Sequence, residues 1–460
     1  MKRVLLFIAA ALMVFCCTNT PKTVESDATE INLENLAPAL DYNTVDKQEM
    51  LDLLLKYLAV ESGSKYPAPG DTTYPMTPGQ IEMAKLLESD ARTLGVQVVR
   101  TPWQYVYVDI PSNLDHEVPV LGISCHLDYS PEAPGKNIKP TVIEYKGGDI
   151  QLADGSVISP DAPDGKDLPG LVGKTIIHSD GRSLLGGDDK NGCAIVMSLI
   201  KTVIQPGVKH GRIQVAFCPN EDIGMADERI DTTFFKPDVL FDVDGAGGNE
   251  ATTSNFTARG FMVTFKGRDA HASEAKAQKY GDALAAAATY IAYVPIKYRP
   301  ENTEGKQGYI HHYMMIPPED GGVDYTVDSR IRYFDQNEGE LFDKILKESL
   351  AKVSEDFPNV GYEIVKDCIQ YDNVAYSMYE GSHNIIGRAA ARSGQTLDFK
   401  AARGGTTAAM FTTRGLRGGM CIYSGQHNDH KVHEYSCLEE MMSAYELLLY
   451  AVDEVAQIKN

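Results

Sequence analysis

The sequence has little positive charge, and it has no cysteine spacing typical of a structural metal site or a redox motif. It carries 43 Lys and Arg residues against 64 Asp and Glu residues, a formal net charge of −21. Proteins that bind nucleic acid need clustered basic side chains, so this class of partner is excluded. None of the 8 cysteines is spaced as Cys-x-x-Cys. This excludes zinc-ribbon and thioredoxin motifs, and we expect no disulfide framework.

A long apolar run is also lacking at the N-terminus. Residues 5–15 are apolar, but the run is too short to be assigned as a membrane span. It follows Lys2 and Arg3 and ends at Cys16 and Cys17, a pattern that resembles a bacterial lipoprotein signal. We therefore expect a targeting signal in residues 1–17 and a flexible tether in residues 18–46, with a secretory signal without lipid as the alternative. The expected location of the exported protein is the bacterial cell envelope, where lipid anchors it.

Apolar strands alternate with helical segments over most of the remaining chain. Runs such as residues 118–125 and 213–218 end in polar residues, and helical periodicity separates them. This alternation predicts an α/β fold with a mostly parallel sheet. The pattern changes to mixed strands and helices after residue 255 and reverts near residue 372. We therefore predict a main domain in two parts, residues 47–255 and 372–460, with a smaller α+β domain inserted at residues 256–371.

Acidic residues and one histidine follow the predicted strands. They are His126 with Asp128, the adjacent pairs Asp188-Asp189 and Glu221-Asp222, and Asp244. Each alone could be a loop acid or a helix cap. Because sites in parallel α/β sheets gather at the carboxyl ends of strands, we expect the four groups to converge. Clustered buried carboxylates need a cation to offset their charge, and a divalent metal suits this donor set.

The order of these motifs resembles a known enzyme family. His-x-Asp, Gly-x-Asp-Asp-Lys, an acidic pair after a strand, Val-Asp-Gly and a C-terminal His433-Glu434 occur in that order in the peptidase T (tripeptide aminopeptidase) branch of the dizinc exopeptidases. These are relatives of aminoacylase and of the G-type carboxypeptidase. Arg403-Gly404-Gly405-Thr406 is a branch-level feature, and the resemblance spans residues 47–455. It implies a catalytic domain with a mostly parallel sheet and an inserted ferredoxin-like lid.

The resemblance also implies a set of site residues. Two zinc ions per chain would be bridged by Asp188, and the implied metal ligands are His126, Asp188, Asp222, Asp244 and His433. Glu221 would be the general base, and Asp128 would orient His126. The implied substrate-binding residues are His271, Arg332 and Arg403. His427 and His430 remain competitors of His433, because the three histidines form a His-x-x-His-x-x-His run. The peptide bond between Asp188 and Asp189 is expected to be cis.

The function implied by the resemblance is zinc-dependent release of the N-terminal residue of tripeptides or other short peptides, through a metal-bridged hydroxide. Two alternatives within the enzyme class are a dipeptidase and an N-acyl-amino-acid hydrolase. A third alternative, from a different class, is a peptide-binding lipoprotein without catalytic activity. The expected partner is a short peptide. Two further partners are considered: a membrane, which the protein would contact through a lipid anchor, and a second copy of the chain, with which it would form a homodimer.

Overall fold

The computed structural model describes residues 31–68, 70–318 and 321–458. The expected targeting signal, residues 1–17, lies outside these ranges, as does the expected tether up to residue 30. The helices within the described ranges are α1 (Lys47–Leu58), α2 (Pro78–Thr93), α3 (Gly187–Val203), α4 (Ala283–Tyr293), α5 (Gln336–Asp356), α6 (Ser382–Arg392), α7 (Thr407–Phe411) and α8 (Leu438–Ala456). No helix in these ranges combines the length and the apolar composition needed to cross a bilayer.

The strands form one large sheet, one four-stranded sheet and one hairpin. They are β1 (Gln97–Arg100), β2 (Val106–Ile110), β3 (Leu121–His126), β4 (Thr141–Glu144), β5 (Ile150–Gln151), β6 (Val157–Ile158), β7 (Thr175–His178), β8 (Ile213–Cys218), β9 (Val239–Ala246), β10 (Glu250–Asn255), β11 (Thr257–Lys266), β12 (Tyr309–Ile316), β13 (Tyr325–Tyr333), β14 (Gly361–Tyr371), β15 (Asp398–Ala402), β16 (Met420–His427) and β17 (Tyr435–Cys437).

The large sheet is parallel at its centre. Its order is β1-β2-β8-β3-β9-β16-β17-β7-β4, and β10 joins it beside β16 and β15. Strands β8, β3, β9 and β16 run parallel, whereas β1, β2, β17, β7 and β4 pair antiparallel at the two sides. The central strands are buried along their length because helices and loops cover both faces. Apolar side chains of α1, α3 and α8 pack on one face, and α7 covers the other. The predicted α/β fold with a parallel central sheet is confirmed.

A second antiparallel sheet, which we call the lid, has the order β12-β13-β11-β14. Its strands all lie between residues 257 and 371. Helices α4 and α5 cover one face, where Phe261, Val263 and Ile331 pack against Phe342 and Leu346. Strand β14 is exposed along nearly its whole length, because it forms an edge of this sheet.

The chain enters and leaves the lid at neighbouring positions. The side-chain amide of Asn255 donates to the carbonyl oxygen of Asp372 at 3.2 Å, and its oxygen accepts the backbone N–H of Val374 at 2.9 Å. Asn373 donates in turn to the carbonyl oxygen of Phe334 in the lid at 3.4 Å. Both asparagine side chains are buried, and their hydrogen bonds join the two crossings of the chain.

The second half of the expected tether is packed against the protein. Residues 31–46 form no helix or strand, yet the guanidinium of Arg388 on α6 donates to the carbonyl oxygens of Asn32 and Glu34 at 2.8 and 2.9 Å. Arg392 donates to the carbonyl oxygen of Pro38 at 2.7 Å. Multiple arginine hydrogen bonds to main-chain oxygens hold an extended segment in place, so this stretch is not a free linker.

Candidate functional site

The acidic strand ends converge at one edge of the central sheet. Strand β3 ends at His126, β9 contains Asp244, and the turn after β8 carries Glu221 and Asp222. Because β8, β3 and β9 are neighbouring parallel strands, their carboxyl ends deliver these side chains to a common point. Asp188 arrives from the first turn of α3, behind a left-handed Gly186 with φ of 79°. The peptide bond between Asp188 and Asp189 is cis.

Asp188 lies between two pairs of side chains. Its Oδ1 is 2.9 Å from Nε2 of His126, and its Oδ2 is 3.2 Å from Nε2 of His430. Oδ1 of Asp244 lies 3.4 Å from the same nitrogen of His126. Oδ1 of Asp222 lies 2.8 Å from the same nitrogen of His430. The carboxylate of Asp188 therefore faces one histidine–carboxylate pair with each oxygen.

His433, the predicted ligand, is not in this cluster. Its Nδ1 contacts Oδ2 of Asp164, and its Nε2 is 3.2 Å from Oγ of Ser156. The loop after β16 reverses at Asn428 and His430, which have φ of 56° and 64°. This reversal directs His430 to the carboxylates and His433 away from them. The choice of His433 over His430 is therefore corrected.

The remaining histidine of the run, His427, is buried and belongs to a separate group of charged side chains. Its Nε2 is 2.8 Å from Oε2 of Glu440, its Nδ1 is 3.3 Å from Oδ2 of Asp167, and its ring stacks on Tyr435. Lys174 lies 3.5 Å from Oε1 of Glu440. Burial alone would lower the pKa of His427, but the two acids outweigh burial and raise it. This histidine holds the end of β16 and does not face the candidate metal centre.

Glu434, next to His433, holds the loop that carries Asp188. Its carboxylate is buried and accepts the backbone N–H groups of Leu185 and Gly186 at 2.8 Å each, and that of Asp188 at 3.0 Å. Three hydrogen bonds to one carboxylate fix the backbone on the N-terminal side of Asp188. The His-Glu motif thus contributes its glutamate, and not its histidine, to the geometry of the cluster.

Asp128 supports two residues of the cluster at once. Its Oδ1 accepts the backbone N–H of Glu221 at 3.1 Å and lies 3.6 Å from Nδ1 of His126. The carboxylate of Glu221 is farther from the histidines than those of Asp188 and Asp222, with its Oε2 3.8 Å from Nε2 of His126. Glu221 therefore lies at the edge of the cluster, where it is in direct reach of the cavity.

The charges of the cluster are not balanced by the described side chains alone. Burial and then the neighbouring Asp188 raise the pKa of Asp222 to about 7. Burial raises the pKa of Asp244 to about 6, although His126 opposes the shift, and burial raises that of Glu221 well above its usual value. For His126, burial favours the neutral ring, but Asp244 and other carboxylates raise its pKa strongly. Burial is thus the main cause for the acids, and the surrounding carboxylates are the cause for the imidazole of His126.

The donor set fits divalent cations. Nδ1 of His126 and one carboxylate oxygen each of Asp128 and Asp222 are buried without a hydrogen-bond partner. Three overlapping groups in the described residues bring ligand atoms within 4.8 Å of one another: His126, Asp188 and Asp222; His126, Glu221 and Asp244; and Asp188, Asp429 and His430. Imidazole nitrogens and carboxylate oxygens in this arrangement suit two cations that share one carboxylate.

A cavity of about 330 Å³ opens above the cluster. Its lining comes from the acidic strand ends, the loop after β16, the Gly-Gly-Thr turn and the lid: Asp188, Glu221, Asp222, Gly224, Asp244, Tyr371, Gly405, Thr406, Met410, Gln426, Asp429 and His430. The sequence reasoning missed Tyr371, Gln426 and Asp429 as site residues. No metal-ligand spacing marks them, because Tyr371 lies at the edge of the lid, Gln426 lies on β16 and Asp429 lies in the loop that follows β16.

The predicted substrate-binding residues of the lid occupy different positions. His271 is exposed, its Nδ1 is 2.7 Å from Oγ of Ser273, and it does not line the cavity. The guanidinium of Arg332 lies 5.6 Å from the ring centre of Tyr371, a cavity residue. Arg332 is thus one side chain away from the cavity, whereas His271 is not brought to it in this structure.

Arg403 binds the lid and does not point into the cavity. Its guanidinium donates to the carbonyl oxygens of Gly305 and Gln307 at 2.8 and 3.2 Å, and to Oγ1 of Thr303 at 3.0 Å. It also packs on the ring of Phe256. Both terminal nitrogens of Arg403 thus bind the lid, and Arg403 does not line the cavity.

Relatives of known identity match nearly the whole chain. Peptidase T of Geobacillus thermodenitrificans is 32% identical over 411 residues, which cover 88% of this chain and 97% of that protein. Peptidase T of Listeria monocytogenes serotype 4a is 34% identical over 422 residues, which cover 90% and 98%. No family model matches the sequence.

These relatives correct the prediction of export. The peptidase T homologues are cytosolic enzymes, which contradicts the expected anchoring of an exported protein in the cell envelope. The lipoprotein-like pattern in residues 1–17 is therefore not supported as a targeting signal. Those residues lie outside the described part of the chain.

Solved structures share the fold. The aminopeptidase PepT from Bacillus cereus superposes with a TM-score of 0.69 at 18% identity, over 90% of this chain and all of that one. The Bacillus subtilis YXEP protein, a dinuclear metal binding peptidase of the M20 family, superposes with a TM-score of 0.60 at 12% identity, over 90% and 100%. These structures support the division into a catalytic domain and an inserted lid. With relatives above 30% identity along nearly its whole length, the chain belongs to the peptidase T family and is a peptidase.

Proposed function

We propose that this protein is a metal-dependent aminopeptidase that releases the N-terminal residue of tripeptides. The observation that carries the proposal is the position of Asp188 between two histidine–carboxylate pairs, with Glu221 beside them at a cavity. The names of the relatives, peptidase T and PepT aminopeptidase, support the choice of substrate. A homodimer remains a prediction.

Two cations would be held by the two halves of the cluster. His126, Asp188 and Asp244 would bind one, and Asp188, Asp222 and His430 would bind the other. Zinc is the expected metal, because it accepts this donor set. Bound cations of this kind polarise the scissile carbonyl and lower the pKa of a coordinated water molecule.

Glu221 would move the proton. Its buried carboxylate has a raised pKa, which suits a group that accepts a proton at Oε2 and returns it to the nitrogen of the leaving amine. The hydrogen bond from the Glu221 N–H to Asp128 fixes the backbone that carries this carboxylate. Glu221 can do this work because Asp222, its neighbour, is the one in contact with His430.

The proposed domain organisation follows from the same arrangement. Residues 47–255 and 372–460 would form the catalytic domain, which supplies every proposed metal ligand and the base. Residues 256–371 would form the lid, which closes one side of the cavity with Tyr371. A peptide would bind between them, with its N-terminal carbonyl at the metal cluster.

A panel of peptides tests the proposal. The purified protein is dialysed against a strong chelator, reloaded with Zn²⁺, and assayed on a dipeptide, a tripeptide, an N-acetylated tripeptide and an N-acetylated amino acid. The expected result is release of the N-terminal residue of the free tripeptide, lost on chelation and restored by zinc. Full activity of the metal-free protein would refute the metal mechanism. Faster hydrolysis of the dipeptide or of an acylated substrate would refute the choice of tripeptides.

A further inference from the structure

The turn that carries Glu221 and Asp222 begins with a residue in the left-handed conformation. Strand β8 ends at Cys218, and Asn220, two residues later, has φ of 59° and ψ of 27°. Few residues other than glycine adopt this conformation, and asparagine is one that does so at low cost. Because Asn220 directly precedes Glu221, its conformation sets the direction in which the side chains of Glu221 and Asp222 leave the backbone.

Gln80, in the first turn of α2, binds Asn220 through both ends of its side-chain amide. Its Oε1 accepts the backbone N–H of Asn220 at 2.9 Å, and its Nε2 donates to Oδ1 of Asn220 at 2.8 Å. The same Oδ1 accepts the backbone N–H of Met76 at 3.0 Å. The two backbone donors determine which atom of each side-chain amide is the oxygen. Both side chains are buried, so three hydrogen bonds that exclude water fix the left-handed residue.

The other hydrogen bonds of the turn do not replace those of Gln80. The carbonyl oxygen of Asn220 accepts the backbone N–H of Met225 at 3.0 Å, and the N–H of Glu221 donates to Asp128 at 3.1 Å. These bonds hold the turn on the C-terminal side of the Asn220 Cα atom, whereas Gln80 holds its N–H and its side chain. Gln80 does not line the cavity. It can therefore affect the site only through the backbone of this turn.

We propose that Gln80 is a positioning residue for the reaction, which holds Asn220 in the left-handed conformation and so directs Glu221 to the cavity and Asp222 to the metal centre. This inference rests on the proposed function. Without the Gln80 amide, the buried N–H of Asn220 would lack an acceptor, and the turn would rearrange to regain a hydrogen bond. A displacement of a reacting group by about 1 Å can lower a rate by roughly 10²-fold. A residue remote from the cavity would thus control the activity.

Gln80→Met and Gln214→Met form a matched pair of variants. Gln214 is also buried, its Oε1 accepts the backbone N–H of Lys236 at 2.9 Å, and its Nε2 donates to the carbonyl oxygen of Phe234 at 2.9 Å. It lies near the start of β8, at the opposite end of this strand from the site. Both replacements remove an acceptor of a backbone N–H and a buried donor. A role in stability alone predicts the same effect on activity in both variants.

The first measurement is the hydrolysis of a free tripeptide by the zinc-loaded variants. For Gln80→Met we expect kcat to fall roughly 10–100-fold, as for other residues that support a metal site from behind its ligands, with little change in KM. Gln214→Met should keep the kcat of the wild type. Asn220→Gly should retain more activity than Asn220→Ala, because glycine adopts the left-handed conformation without strain. This second pair tests the inference even if Gln80→Met folds poorly. Equal kcat values within either pair would overturn the inference.

The second measurement is calorimetric titration of Zn²⁺ into the chelated proteins, which does not require turnover. Because Asp222 lies on the same turn, Gln80→Met should bind one of the two ions roughly 10–100-fold more weakly than the wild type does. Gln214→Met should bind both ions as the wild type does. Unchanged zinc binding in Gln80→Met would overturn the inference. If Gln80→Met alone binds zinc more weakly, yet the wild type cleaves no tripeptide, the proposed function fails and the role of Gln80 at the metal centre stands.

Discussion

Replacement of His430 tests which histidine binds the metal. The structure favours His430, whereas the sequence predicted His433. Nε2 of His430 lies 2.8 Å from Asp222 and 3.2 Å from Asp188, whereas His433, three residues further on, binds Asp164 and Ser156. His430→Ala removes one nitrogen donor from one half of the cluster. His433→Ala, on the same loop, removes none and is the matched control.

The expected loss of metal affinity in His430→Ala follows from these contacts. Loss of a residue that only supports a metal ligand typically costs 10–100-fold in metal affinity. His430 would be a ligand itself, so His430→Ala should weaken binding of one cation by at least about a hundredfold, or ~2.7 kcal/mol. The acids raise the pKa of His430 to about 12, against the effect of burial. In the metal-free protein its imidazolium therefore partly neutralises them, and metal binding must displace that proton.

The assay is metal content after dialysis, measured by mass spectrometry, together with calorimetric titration of Zn²⁺ into the chelated protein. Wild type and His433→Ala should bind two ions per chain, and His430→Ala should bind one tightly. Two tightly bound ions in His430→Ala would refute the assignment. Loss of an ion in His433→Ala alone would restore the sequence-based choice.

Two further predictions concern a proton-transfer residue and a buried histidine. Glu221→Gln should lower kcat by roughly 10²–10⁴-fold, the usual contribution of general acid–base catalysis, with metal content unchanged; loss of metal along with activity would make Glu221 a ligand. His427→Gln should lower the midpoint of thermal unfolding more at pH 6 than at pH 9. The pKa of His427 is raised, and the pKa values of Asp167 and Glu440 are lowered. The charged histidine therefore stabilises the fold at pH values below its pKa, and this contribution is lost as the pH rises through that pKa. An equal shift at both pH values would contradict this.

The sequence predicted the parts of the site that regular structure determines. His126, Asp222 and Asp244 follow or lie on parallel strands, and strand order alone brings them together. Asp188 was predictable because paired glycines and an apolar helix frame it. For these residues, local pattern and tertiary position agree, so reading the strands was enough to anticipate their convergence.

Two residues that were predicted for the site lie away from the cavity. The direction of their side chains is set by contacts with residues that are distant in the sequence. His433 is turned outward by Asp164, which is 269 residues away in the sequence. Arg403 is held by lid carbonyl groups and a hydroxyl 96 to 100 residues away. Neither partner has a periodic signal that links it to the histidine or the arginine. In irregular loops the direction of a side chain depends on such contacts, and the sequence carries no spacing rule for them.

The chain enters the lid after Asn255 and leaves it at Asp372, and these two residues are neighbours in space. The lid is therefore a segment that can be deleted by joining its two ends. Strands β11 and β14 start and end side by side, with Ala258 paired to Tyr371, and Asn255 reaches the Asp372 carbonyl directly. Insertions with neighbouring ends can be excised without stretching the host chain. A shortened gene that joins Asn255 to Asp372 through a turn of a few residues would thus encode the whole proposed metal cluster on an uninterrupted scaffold, open to bulkier peptides.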